Sequence, residues 1–135
     1  MAKIDLKTFK VVKCCEVGYE PEGIAWYGDC LFVANTGGYS YQEDHDYEST
    51  VSVIDAVTMT KIRDIDTGVI NLYGKMSQTG KYLCINSCGD YYLYPACSLI
   101  LDCSKAIAGN DKSFIVLDDV TATYNCATPD GTFLP

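Results

Sequence analysis

Apolar positions along the chain come in short bursts of five or six residues, each closed by a turn signal. GIAWY at 23–27 and CLFVAN at 30–35 flank Gly28-Asp29, and VSVID at 51–55 is followed by a turn at 56–58 and by TKIRDID at 60–66. Runs of this length, rich in β-branched and aromatic residues and bounded by Gly and Asp, predict strands joined by tight turns. These are strands A (23–27), B (30–35), C (51–55) and D (60–66) of one unit. Val51-Ser52-Val53 alternates like a strand with one covered face, whereas Leu31-Phe32-Val33 is apolar throughout and suits a strand packed on both faces. A second unit is expected at 73–77, 82–87, 98–102 and 114–117, with one turn of helix in the polar connection 104–112, where AIAG supplies helix formers and then a stop.

The two units are copies. Ile4, Asp5, Thr8 and Gly18 recur as Ile54, Asp55, Thr58 and Gly68, an offset of fifty. Gly28, Leu31, Val33, Gly37 and Tyr39 recur as Gly80, Leu83, Ile85, Gly89 and Tyr91, an offset of fifty-two. Leu101-Asp102 and Asp130-Gly131-Thr132-Phe133 begin a looser third copy. Periods of about 40–50 residues with four short strands apiece are the signature of propeller blades. The expected class is all-β, a β-propeller fragment of about two and a half to three four-stranded antiparallel blades. Residues 1–22 would end one blade, 23–67 and 72–118 would be complete blades, and 119–135 would start the next.

The stretch GYEPEGIAWYGDCLFVANTGG, followed by TVSVID, resembles the YVTN-repeat (YncE-like) β-propellers. The matching positions are Pro21, Gly23, Ile24, Ala25, Leu31, Phe32, Val33, Ala34, Asn35, Val51, Val53, Ile54, Asp55 and Thr58. The second copy departs, with Asn71 for the proline and Asn86-Ser87 for the Ala-Asn pair, so its likeness rests on spacing. Its style is similar to a branch found in surface proteins of anaerobic bacteria, of unestablished function. The resemblance implies a cell-envelope or extracellular location. A propeller needs about four to eight blades, so the chain is expected to be a fragment of a longer product. Alone, it should self-associate through exposed blade edges or show poor solution stability.

Charge narrows the partners. With 18 acidic and 10 scattered basic residues, the net charge is −8, which argues against nucleic acid, since phosphate binding needs clustered Lys and Arg. MAKIDLKTFK carries no signal-peptide pattern, and no stretch approaches the apolar length of a transmembrane segment. The eight cysteines include no CxxC pair, which discourages zinc. Cys14 and Cys15 are adjacent in a predicted strand and point to opposite faces. Packed thiols are the leading expectation for the cysteines, with Cys88–Cys97 the best disulfide pair.

Meander topology places the B–C and D–A connections at one end of the units. They collect Tyr19, Tyr39, Tyr41, Tyr47, Tyr91, Tyr92 and Tyr94 with Glu20, Glu22, Glu43, Asp44, Asp46, Glu48 and Asp90, and no Lys or Arg. Tyrosine pairs apolar area with a hydroxyl, and its ring face attracts cations. The candidate ligand-binding residues are Tyr19, Glu20, Tyr39, Tyr41, Asp90, Tyr91 and Tyr92. The bland alternative is that these tyrosines pack beneath their own loops.

Glu43-Asp44-His45-Asp46-Tyr47-Glu48 is the densest polar run, and within it Glu43, Asp44, His45 and Asp46 are weak metal candidates, lacking the spacing of a calcium loop. His45 is the single histidine, and no nucleophile motif accompanies it. Asp5, Asp55 and Asp102 are expected to cap turns. No cofactor is expected. The leading function is a non-catalytic binding or interaction module for an unknown small molecule, glycan or protein. The alternative is a propeller enzyme, lactonase- or lyase-like, whose remaining groups lie outside the chain; a purely structural repeat is the third reading.

Overall fold

A computed structural model describes residues 1–38, 46–90, 93–110 and 112–117. The strands are β1 (Ala2–Asp5), β2 (Lys10–Cys14), β3 (Pro21–Tyr27), β4 (Cys30–Asn35), β5 (Thr50–Asp55), β6 (Thr60–Asp66), β7 (Leu72–Thr79), β8 (Tyr82–Ser87), β9 (Cys97–Asp102) and β10 (Phe114–Leu117), with helix α1 (Cys103–Ala108) between β9 and β10. They form three antiparallel sheets, none closed on itself: a β1–β2 hairpin, a sheet β3-β4-β5-β6 and a sheet β10-β9-β8-β7. Four predicted strands start one to two residues earlier than the alternation suggested, and β7 also runs on to Thr79. The helical turn begins at Cys103, just before the predicted window.

The repeat is a register equivalence. Tyr27 pairs with Cys30 across Gly28-Asp29, and Thr79 pairs with Tyr82 across Gly80-Lys81. Gly28 and Gly80 have φ of 58° and 56°, a left-handed conformation that a Cβ disfavours. The aspartates also recur structurally. Asp5 Oδ1 accepts from the N–H of Lys7 at 2.7 Å and of Thr8 at 3.0 Å. Asp55 Oδ1 does the same for Val57 at 2.9 Å and Thr58 at 2.8 Å. Asp102 instead caps α1, accepting from Ser104 and Lys105 N–H.

Strand β4 shows how the sheets stack. Phe32 and Ala34 pack with Val51 and Val53 against Leu83, Ile85, Leu99 and Leu101 of the next sheet. Val33 points the other way and joins Ile54 and Met59 around Cys15, with Met1 and Val17 of the hairpin region alongside. The first sheet is thus covered on both faces, which is why its central strand is apolar throughout. The strands β3 and β7 approach closely enough that a Cβ on Gly23 would sit 2.7 Å from the Gly74 carbonyl oxygen. Each junction carries a cation clamp. Lys13 Nζ donates to the Thr58 carbonyl, and Arg63 Nη2 donates to the Ile107 carbonyl at 3.3 Å.

The cysteine expectations divide. Cys14, the last residue of β2, is exposed, while Cys15, just beyond the strand's end, is buried. The Cys88–Cys97 pairing is overturned, because both residues carry thiols. Cys84 is disulfide-bonded, which contradicts its reading as a packed thiol. Burial, reinforced by the charge of Asp102, pushes the Cys103 thiol up to about 12, so it is an inert core group.

Candidate ligand-binding loop face

In both repeats the loop entering the first strand is laced to the loop leaving the second strand. In the first, Glu20 takes a left-handed φ of 47°. Its carbonyl accepts from Thr36 N–H at 3.1 Å and Thr36 Oγ1 at 2.9 Å, while Tyr19 O accepts from Gly37 N–H at 3.1 Å. Thr36 Oγ1 in turn accepts from Gly38 N–H at 3.0 Å. In the second, Ser87 Oγ donates to Ile70 O at 2.7 Å and accepts from Gly89 N–H at 3.0 Å, and Asn71, with φ of 51°, offers its carbonyl to Cys88 N–H. One hydroxyl serves as donor and acceptor at the same knot each time. A bridge joins the repeats: Asn71 N–H donates to Glu48 O at 3.2 Å, and Asn71 Nδ2 donates to Gly89 O at 2.8 Å. The Gly37 and Gly89 loops therefore lie at the same end of the molecule.

Beside each knot lies a cavity. The first, about 520 Å³, is lined by Met1, Glu16, Val17, Gly18, Tyr19, Pro21 and Glu48. The second, about 320 Å³, is lined by Thr67, Gly68, Val69, Ile70, Tyr94, Pro95, Cys97 and Val116. The first presents two carboxylates and a tyrosine; the second is chiefly apolar. A third cavity, about 300 Å³, lies between β6 and α1 beside Arg63, away from the loop face.

Glu48 organises the acidic groove. Its Oε1 accepts from Tyr19 N–H at 2.9 Å and its Oε2 from Thr50 Oγ1 at 2.9 Å. Thr50 Oγ1 accepts from Asn35 Nδ2 at 2.9 Å, which also donates to Ser52 Oγ at 3.0 Å. Ser52 Oγ donates to Asp64 Oδ1 at 2.6 Å, and Asp64 Oδ2 pairs with Lys61 at 2.7 Å. A continuous polar chain thus runs across the first sheet to the Tyr19 backbone. Gly18 closes over it, since a Cβ there would run into Glu48 Oε2 and lie 2.7 Å from Asn35 Cγ. Asn35 is fully buried and its Oδ1 has no partner among the described residues, a cost that the hydrogen bonds its Nδ2 donates to Thr50 and Ser52 offset.

Of the predicted binding residues, Tyr39, Tyr41, Tyr91 and Tyr92 lie outside the described residues, as do Glu43, Asp44 and His45. Tyr19 is exposed in the acidic groove. Glu20 contributes its backbone to the knot, and its side chain lies over Gly38. Asp90 closes its own loop, its carboxylate accepting from Tyr94 N–H at 2.9 Å. Asp46 is exposed. Among the described residues, no three His, Cys, Asp or Glu side chains come together as a metal-holding group. Arg63, the one arginine, is taken up in the junction between the four-stranded sheets.

Glu48 stood among the acids of the loop face without being singled out as a site residue, and the Asn35–Ser52–Asp64 chain was not expected. A polar Ser52 between two inward valines, in register with Asp64, was the available signal.

A scan against protein-family models finds no match to the chain, and a search of curated proteins finds no relative.

Proposed function

We propose that the chain is part of a β-propeller of four-stranded blades and acts as a non-catalytic binding module, capturing its ligand at the loop face. The observation behind this reading is the doubled groove: two repeats each lock an entering loop onto a leaving loop by a hydroxyl knot and keep a cavity beside it. Loops held by a rigid sheet scaffold are where binding surfaces sit. The carboxylates of Glu16 and Glu48 favour a cationic or neutral group in the first groove. Val69, Ile70, Tyr94 and Pro95 favour an apolar one in the second. Placement at a bacterial cell envelope rests on resemblance alone, that of the first repeat to the YVTN-repeat propellers and that of the second copy's style to a branch found in surface proteins.

The test is an array of neutral glycans and of lysine-containing peptides probed with the whole chain, followed by titration of any hit. Tyr19→Ala and Tyr94→Ala should each weaken capture at least about tenfold, the loss of roughly 1.4 kcal/mol of contact, with an unchanged far-UV spectrum. Full retention of affinity in the double variant would rule out the grooves as the binding surface.

A further inference from the structure

We propose that the cavity of about 300 Å³ between β6 and α1 is a second binding site, which takes a small organic carboxylate with an apolar tail on the Arg63 guanidinium. It is separate from the loop face.

The arginine is built into the junction but its charge is not paired there. Nη2 donates to the Ile107 carbonyl at 3.3 Å, and this is the guanidinium's single hydrogen bond among the described residues. Nε is buried with no partner among them. Neither salt bridge between described residues involves Arg63. A buried donor on an ionised group is costly to leave unmet, so Arg63 calls for an acceptor that the described residues do not provide. The two acids bordering the cavity are committed elsewhere. Asp64 accepts from Ser52 and pairs with Lys61, while Asp66 accepts from Ser49 and from the Gly68 N–H. Alternation along β6 explains the separation. Arg63 shares a face with Ile65, which packs on the core between the sheets, and Asp64 turns to the other face with Ser52.

The walls suit a carboxylate with carbon attached. Gly109 lies close against the guanidinium, since a Cβ there would run into Nη1 and lie 3.0 Å from Cζ. The planar fork is thereby held in one place, the condition under which it recognises a carboxylate best. Asn110 gives its Oδ1 to the Lys112 N–H at 2.9 Å, which leaves its amide N–H groups as donors. Ser113, 3% exposed, brings a hydroxyl to the same lining. Ile65, Ala106 and Phe114 supply the apolar wall. A cavity mixing fixed donors with hydrocarbon favours an organic acid over a bare inorganic ion. At roughly 30 Å³ per water-sized group, there is room for about ten heavy atoms. Both walls belong to sheets of this chain, so a further blade laid on the outer face of either sheet leaves the junction unchanged.

Arg63 is the only arginine, so the whole chain carrying isotope-labelled arginine gives one Nε–Hε resonance, a readout that needs no variant to fold. Titration with isovalerate should move that resonance saturably and raise the melting temperature. Acetate, lacking the branched tail, should need at least about tenfold more, and the neutral isostere isovaleramide should leave the resonance in place. Arg63→Gln should remove the isovalerate-dependent rise in melting temperature, and Arg63→Lys, which keeps the charge without the fork, should weaken it. Asp111→Asn, which removes the acid following Asn110 in the chain, should leave the isovalerate response as it is. A resonance indifferent to isovalerate, an equal response to isovaleramide or to chloride, or a response seen only in Asp111→Asn would each overturn the proposal.

Discussion

The groove beside Glu48 and the groove beside Tyr94 occupy equivalent places in two repeats, yet their walls differ in kind. The first sets carboxylates and a tyrosine over a buried polar chain. The second sets aliphatic groups, a proline and a buried thiol around a tyrosine. The knot beneath them is shared: the N–H groups of Thr36 and Cys88, fifty-two residues apart, reach the carbonyls of Glu20 and Asn71, and a hydroxyl, from Thr36 in one and from Ser87 in the other, adds a second lacing. Backbone satisfaction is obligatory wherever two loops cross over a core. Wall residues face open space and are under no such constraint. The knot is common to both repeats while the chemistry of the walls differs.

Equivalent glycines make the sharpest test. Gly18 and Gly68 stand fifty residues apart in matching loops. A Cβ on Gly18 collides with Glu48 and Asn35, whereas Gly68 has φ of 65° and open space around it. We expect Gly18→Ala to cost about 2–3 kcal/mol by overpacking, and Gly68→Ala only about 1 kcal/mol, from left-handed strain. Urea unfolding of the two variants measures the gap. Equal losses would mean that Glu48 is not seated as described.

Next in size are the knots themselves. Ser87→Ala strands the Ile70 carbonyl and the Gly89 N–H and should cost about 1–3 kcal/mol. Thr36→Val strands only the Gly38 N–H, because the Glu20 carbonyl keeps the Thr36 N–H, and should cost about 1 kcal/mol. Equal losses at the two sites would break this account of the knots.

The smallest effect separates the turns at the opposite end of the sheets. Burial pushes the Asp102 carboxyl up, but hydrogen bonds from Ser104, Lys81 and the Lys105 N–H outweigh it and hold it at about 2. Asp55 is lowered chiefly by the Thr58 N–H, with the charge of Lys13 the smallest contribution. Since the folded state binds the Asp102 proton more weakly, its contribution is complete above the unfolded value of 3.8 and is lost as the pH falls through about 2. Asp102→Asn should therefore flatten melting temperature against pH in that acid window, and Asp55→Asn should do so less. Curves that stay parallel to the unmodified protein would refute the role given to the Lys81–Asp102 pair, 2.9 Å apart.

Much of this comparison was legible before any coordinates. Alternation located the strands of both repeats because a strand between two apolar layers must be apolar throughout, as at Leu31-Phe32-Val33. The Asp-x-x-Thr turns were legible because an Asx cap is a local contact. Glu48 was not. It appeared as one acid among several in a polar loop, and its seat depends on Gly18 and Thr50 arriving from other segments. The thiol states of Cys88 and Cys97 were equally out of reach, since proximity along one loop says nothing of whether two sulfurs can meet.

The amino-acid sequence by itself determined the strand periods, the tight turns and the twofold copying, all of which follow from interactions within a few residues. Only the tertiary structure decided which face of each sheet is covered and which carboxylate organises a groove. Alternation gives every strand two faces without saying what lies against either. Whether Ile54 is buried and Ile4 bare depends on a neighbouring sheet, and that is a long-range fact no local pattern encodes.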